Sequence, residues 1–265
     1  MWLSQPIHTL PERLAQLVWG WALAWWRIVY LGAVVLVLAL SPSSYGRAGR
    51  GLLARRMYLE TTPILLGFTA LAALLSLVVT RIVVVTALSY GLSRYALEMV
   101  IRVLVLELIP LTAAMFVAMR CAIPSGAQLA ELRHSGRLAA LERAGADPVR
   151  MELLPRVAAA GFASITLAAL SCVVALVMAY LSVYGVNTAG VAAFTRMFGH
   201  VFTPEVTLVF GLKTVFFSLA IAVIPMTAGM YDLGGTELRS ELGGLARMFA
   251  VLLLIEIASL LGNYY

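Results

Sequence analysis

The chain has 265 residues, 62% of them hydrophobic and 12% charged, with a mean hydropathy of +0.95. Soluble domains carry about 45–50% apolar and about 25% charged residues, so a soluble globular enzyme, a disordered chain and a nucleic-acid module are excluded. The net charge of +6 does not argue for nucleic acid, because 18 of the 19 basic residues are arginines grouped between apolar stretches, as in the cytoplasmic loops of membrane proteins.

Residues 17–40 carry one charge, Arg27, and admit two readings, a spanning helix or a helix lying in the membrane interface. All five tryptophans (Trp2, Trp19, Trp21, Trp25 and Trp26) fall in the first 26 residues, and tryptophan prefers the headgroup level. Arg13, Gln16, Gly20 and Arg27 share one stripe at about 100° per residue. The apolar remainder, 28–40, is too short to cross alone. The expectation is therefore an interfacial helix within a first segment, 1–44, ended by Ser41-Pro42-Ser43-Ser44 and Gly46. Residues 1–27 lack a secretory signal's short apolar core and cleavage site and read as part of the mature protein.

A spanning helix needs about 20 mostly apolar residues. Residues 63–80 are uncharged and the pattern resumes after Arg81; 103–119 is broken only by Glu107; 157–184 is uncharged; 206–231 is broken only by Lys213; 248–265 only by Glu256. Five spans are expected within a second segment, 45–265, at about 63–90, 97–121, 155–184, 206–231 and 246–264. Arg47, Arg50, Arg55 and Arg56 precede the first span, Arg120, Arg133, Arg137, Arg143, Arg150 and Arg156 lie between the second and third, and Arg239 and Arg247 between the last two. The opposite side holds Arg94, Arg102 and Arg196. The positive-inside rule then puts the N-terminus in the cytoplasm and the C-terminus outside. Ala160, Ser164, Ala168 and Cys172 recur every fourth residue, a stripe that lets another helix approach closely. Cys121 and Cys172 read as buried small hydrophobes, and no internal repeat is present.

No G-x-x-x-x-G-K-[ST] motif occurs, so there is no phosphate-cradling loop and any ATP hydrolysis belongs to another chain. His8, His134 and His200 show no zinc-protease spacing, and no G-x-S-x-G elbow exists. Glu107, Lys213 and Glu256 each interrupt an apolar span, at about 2.5–3.5 kcal/mol apiece for a helix centre. A Glu107–Lys213 pair would offset part of that. Two readings stay open: a structural pair that sets helix register, or a polar lining for a substrate cavity. In the loop between spans two and three, Leu129, Leu132, Leu138 and Leu141 are spaced for one helical face, so 128–147 is expected as a short helix ended by Asp147-Pro148. It either docks a partner or lies on the membrane surface.

Glu107-Leu108-Ile109-Pro110, Arg120, Leu141-Glu142, Gly145-Ala146-Asp147-Pro148 and Pro155-Arg156 together resemble the signature of the MlaE/YrbE permeases. Lys213 matches a lysine these permeases carry in the fourth span, Gly229-Met230-Tyr231-Asp232 resembles the motif closing it, and Glu256 falls near an acidic position of the last. Leu106 and Ile109 stand where arginine and glycine are common. The resemblance implies an all-α integral membrane fold with an N-terminal interfacial helix, five spans and a cytoplasmic coupling helix. It implies a non-enzymatic permease subunit of an ABC-type transporter in a bacterial inner membrane, moving phospholipids between the inner and outer membranes. The partners it implies are a second copy, a separate ATPase that holds ATP and magnesium, an MCE-domain subunit, hexameric and periplasmic, and a STAS-domain subunit. No cofactor is expected on this chain. Glu107, Lys213 and Glu256 would line the lipid path; Arg120, Glu142, Asp147, Pro148 and Arg156 would serve ATPase coupling. The rival class is a stand-alone ion- or proton-coupled transporter using the same three charges as a relay, and a third is a membrane scaffold that transports nothing.

Overall fold

A computed structural model describes residues 9–41, 47–231 and 237–264, with side chains from residue 19 onward except at 42–49, 52, 93–94, 232–242 and 264. Trp2, the side chains of Arg13, Gln16, Arg47, Arg94 and Arg239, the breaker at 42–46 and Asp232 lie outside the described residues. Every regular element among those described is helical: α1 (Thr9–Leu40), α2 (Arg47–Ser89), α3 (Ser93–Val100), α4 (Ile109–Val117), α5 (Ile123–His134), α6 (Arg137–Arg143), α7 (Leu154–Tyr184), α8 (Val191–Val201), α9 (Pro204–Met230) and α10 (Glu237–Tyr264). Among the described residues, six stretches are long and apolar enough to cross a membrane: Trp19–Leu40, Leu53–Ser89, Tyr95–His134, Val149–Tyr184, Pro204–Met230 and Gly243–Asn263.

Three π-helical segments, Ile101–Leu108, Ala118–Ala122 and Val149–Leu153, join these helices. Each ends just before an X-Pro pair: Ile109-Pro110, Ile123-Pro124 and Leu154-Pro155. Proline has no N–H to offer the carbonyl four residues back and its ring crowds that turn, and a π-bulge absorbs the misfit without breaking the helix. The chain from α3 through α5 thereby runs as one long rod. It is the central span, with 61% of its most apolar window buried against 17–22% for the first, second and last.

The most extensive pairing is between α2 and α7. Ala160, Ser164, Ala168 and Cys172 are all buried on α7, and Phe68, Ala72, Ser76 and Thr80 are buried at the same spacing on α2. Cys172 on that stripe meets the Val105 carbonyl of the central rod at 3.5 Å, and Phe68 lies against Phe116 of α4 with ring centroids 4.9 Å apart; close packing by dispersion does the work that the hydrophobic effect cannot do in lipid. Some hydroxyls inside the bundle fold back onto their own helices, as in Ser76 Oγ to the Ala72 carbonyl at 2.6 Å and Thr227 Oγ1 to the Val223 carbonyl at 2.8 Å. Large apolar side chains such as Leu66, Leu74 and Leu254 point outward, as a lipid-facing surface requires.

Three helices differ in extent from the stretches named in the sequence. The helix that carries the span expected at 63–90 is longer than that span: α2 starts at Arg47 and carries Pro63 in its interior, because the arginines, leucines and alanines before it are good helix formers. The N-terminal helix runs from Thr9 to Leu40. It is unbroken, and Trp19–Leu40 alone is long enough to cross; Ala24, Ile28, Leu31 and Val35 form its buried face, which packs on α7 and α9. The helix expected at 128–147 is two pieces. Ile123–His134 continues the central rod and packs on α9, and Gly136 in a left-handed conformation (φ 70°) separates it from α6. Only glycine adopts that backbone without strain. Asp147-Pro148 does not close a helix but opens the next: Asp147 Oδ1 accepts the Val149 N–H at 2.9 Å.

Candidate functional site

The three charges predicted inside the membrane come from three different spans and meet. Glu107 lies in the π-helical segment Ile101–Leu108, Lys213 on α9 and Glu256 on α10. Lys213 is 2% exposed and Glu107 8%. The Lys213 ammonium is ion-paired with Glu107 and with Glu256 at 2.8 Å. It also donates to the Leu106 carbonyl at 3.2 Å and lies 5.6 Å from the Phe217 ring centroid. Asn263 Nδ2 donates to the other Glu107 oxygen at 3.3 Å.

Local sequence explains each position. Pro110 removes the α-helical donor to the Leu106 carbonyl, and that carbonyl is the one Lys213 uses. Lys213, Phe217 and Ile221 follow one another at four-residue spacing on the buried face of α9. Met248, Leu252, Glu256, Ser259 and Asn263 share one face of α10 at spacings of four and three, the helical repeat. Lys213 is nine residues from the start of α9 and Glu256 eight from the end of α10. At a rise of 1.5 Å per residue, both lie roughly 12–14 Å in from the arginine-poor end.

An ammonium with two carboxylates, a carbonyl and an aromatic face has its donors satisfied, and this offsets the cost of burying it. The two carboxylates carry one more charge than the ammonium cancels, and the Asn263 amide covers part of that excess. The cluster ties three helices together inside one protomer. The groove of about 390 Å³ between α1, α9 and α10 is lined instead by apolar groups such as Trp25, Ile28, Phe216 and Val223. Ile255, which also lines it, is the neighbour of Glu256.

The predicted coupling residues separate into three environments. Glu142 is exposed on α6, next to a 240 Å³ cleft formed by Arg137, Leu141 and Glu152 among others. Asp147 is exposed, caps the Val149 N–H and lies 3.6 Å from Arg150, while Pro148 is buried. Arg156 is 6% exposed and is held by Glu152, through the carbonyl at 2.6 Å and the carboxylate. It shapes the start of α7 and is not presented to a partner. Arg120 is exposed on a pocket it shares with Arg55 and Arg56.

Two features escape sequence reasoning. Asn263 is a lone polar residue at a span end, indistinguishable there from an interfacial one. Gly126 on α5 and Gly229 on α9 meet backbone to backbone: a Cβ on Gly126 would lie 2.7 Å from the Pro225 carbonyl oxygen, and one on Gly229 would collide with the Gly126 carbonyl. Arg133 Nη1 locks the same crossing, donating to the Gly229 carbonyl at 3.2 Å.

Together these features define a multi-pass α-helical membrane protein with an ionic cluster at depth and an arginine-rich end. More particularly, residues 53–262 match the family model described as permease MlaE, and the chain belongs to that family. No curated protein matches it significantly. It is a permease, a membrane subunit that associates with other transporter subunits.

Proposed function

We propose that this chain is the permease of an ABC-type transporter that moves phospholipids between the inner and outer membranes of a bacterial envelope. The observation that carries the reading is the family match over 53–262, which takes in both the charged cluster and the 123–153 loop. Two copies would form the lipid path between them, and a separate ATPase would bind ATP and magnesium on the cytoplasmic side. An MCE-domain subunit would cover the outer face, and a STAS-domain subunit would bind the ATPase. The arginine distribution supports placing α6 in the cytoplasm and the C-terminus in the periplasm. The cluster then lies in the periplasmic half, where it holds α9, α10 and the central rod in register. The α5–α9 glycine crossing carries force from the loop to α9, and so to Lys213. The rival reading, an ion- or proton-coupled carrier, draws on the second carboxylate of the cluster.

The test is co-purification and transport with Glu142→Lys. Glu142 is exposed, whereas Asp147→Arg also removes the side chain that caps the Val149 N–H, which costs about 1 kcal/mol. The expected result is a folded permease that recovers less ATPase and loses ATP-dependent lipid transfer, since charge reversal in an interface typically costs a few kcal/mol. Transport driven by a proton or ion gradient without ATP would establish the rival.

A further inference from the structure

A second polar site lies well away from the charged cluster. It is a cavity of about 580 Å³ between α2 and the π-helical turn Ala118–Ala122. Residues 55 and 56, 59 and 60, and 63 and 64 all line it, so one face of α2 forms a wall. Along that wall the chemistry changes in order. Arg55 and Arg56 come first, with Arg120 facing them from the turn, and Leu59, Pro63 and Ile64 follow toward the middle of the helix. Glu60 lies between, 3.5 Å from Arg56, and Cys121 Sγ approaches the Glu60 carbonyl at 3.7 Å. Three guanidiniums against one carboxylate leave an excess of two positive charges on the lining.

We infer that this pocket binds the phosphate headgroup of an anionic membrane lipid, with an acyl chain running down the Leu59–Pro63–Ile64 side. Arginine forks match phosphate oxygens in pairs, and basic pockets between membrane helices hold anionic headgroups. Depth argues for a lipid over a docked protein. The central rod continues fourteen residues beyond Arg120 to His134, about 20 Å of helix, so the pocket is set below the end of the bundle. The wall also runs on into lipid-facing surface, where Leu66 is 80% exposed. Free phosphate shares the headgroup chemistry but gains nothing from that apolar wall. The site does not depend on the transport reading, since a lipid is held here whether or not it is carried.

The experiment measures lipid retention on the purified full chain by native mass spectrometry, with phosphatidylglycerol and phosphatidylcholine as probes and inorganic phosphate as competitor. Arg55→Gln with Arg120→Gln is the test variant, the same pair changed to lysine is the rescue, and Arg143→Gln on α6 is the control. At about fivefold per arginine, the glutamine pair is expected to hold phosphatidylglycerol roughly 25-fold more weakly, with phosphatidylcholine unchanged. The lysine pair should recover most of the binding, and the control should match the unsubstituted chain. Undiminished phosphatidylglycerol binding, or an equal loss of both lipids, would overturn the site. Displacement by inorganic phosphate at equal concentration would reassign it to a soluble anion and overturn the lipid. Should the glutamine pair not fold, the unsubstituted chain still decides: phosphatidylglycerol retention must fall as salt rises while phosphatidylcholine retention does not, and a salt-independent result refutes the site. Failure of ATP-dependent transfer with this binding intact would count against the transport reading alone.

Discussion

Lys213 is the only lysine in the chain, and its surroundings say why a charge is tolerated so far from water. Apart from Phe217 on its own helix, its partners come from spans more than forty residues away in sequence, and each supplies what an ammonium needs. Removing one member leaves the others short of charge. Lys213→Ala leaves the buried Glu107 and the partly buried Glu256 carboxylates facing each other and is expected to cost about 3–5 kcal/mol, the penalty for stripping a buried pair of one partner. The double variant Glu107→Ala with Lys213→Ala should be less harmful than the sum of its parts. A double-mutant cycle read by thermal stability should give a coupling of about 0.5–3 kcal/mol, and additive effects would show that the ion pair contributes nothing. Glu256→Gln keeps a group of nearly the same shape beside Lys213 and leaves the cluster neutral. It is expected to fold and to change lipid handling only, and a large fall in melting temperature would contradict that. The identity of these residues was legible in the sequence, since three charges in apolar spans cannot be overlooked. That Glu256 joins the pair, and that Asn263 supports it, was not legible, because nothing local to α10 records what its buried face meets.

Between elements, glycine decides how closely helices pass. Gly126 and Gly229 put α5 and α9 in backbone contact, and Arg133 closes the crossing. Glycine to alanine in an open helix position ordinarily gains about 0.4–1 kcal/mol. At Gly229 the sign should reverse, because the new methyl collides with the Gly126 carbonyl and overpacking costs about 1–3 kcal/mol. Gly67→Ala, whose Cβ would meet nothing within 4 Å, is the control. Melting temperatures of the two variants should move in opposite directions, or at least differ clearly; equal shifts would mean that the crossing has room. If the crossing transmits motion from the loop, Gly229→Ala should also reduce transport per folded molecule. The prolines act at this scale too. Pro110, Pro124 and Pro155 each follow a π-helical turn, and the first frees the carbonyl that Lys213 takes. A sequence shows where proline falls but not whether the helix will kink, stop or bulge, since that depends on whether neighbours satisfy the released groups.

For the whole molecule, the question is how the bundle lies in the bilayer. The arginine-rich end is expected in the cytoplasm. In a background lacking Cys121 and Cys172, which are buried, Ser135→Cys should react only from the cytoplasmic side and Val186→Cys, at a fully exposed turn, only from the other. The reverse pattern would invert the topology. For α1 the expected outcome is that cysteines at 19 and 40 react from the same side, because Trp19, Trp21 and Trp26 are exposed near the middle of the helix and tryptophan favours the interface. Arg27 lies over the Tyr231 ring at 5.4 Å, just past the end of α9, which puts that part of α1 at the arginine-rich end. Labelling of 19 and 40 from opposite sides would make α1 a sixth crossing.

Hydropathy and charge spacing are properties of neighbouring residues, so the membrane class, the positions of the long apolar helices, the asymmetry of the arginines and the three intramembrane charges could be read from residue order alone. The small-residue stripe on α7 was readable for the same reason: a helix repeats every 3.6 residues whatever it packs against. Which charges meet, where α5 and α9 touch, and that Arg156 is enclosed while Glu142 is exposed depend on how the helices pack. The same packing divides the loop helix at Gly136, where the continuing rod finds a partner in α9 and the remainder does not. Each of those outcomes joins residues far apart in the chain. In a bilayer, where burial alone gives little preference between one apolar helix face and another, close packing and ionic pairing between spans make the choice.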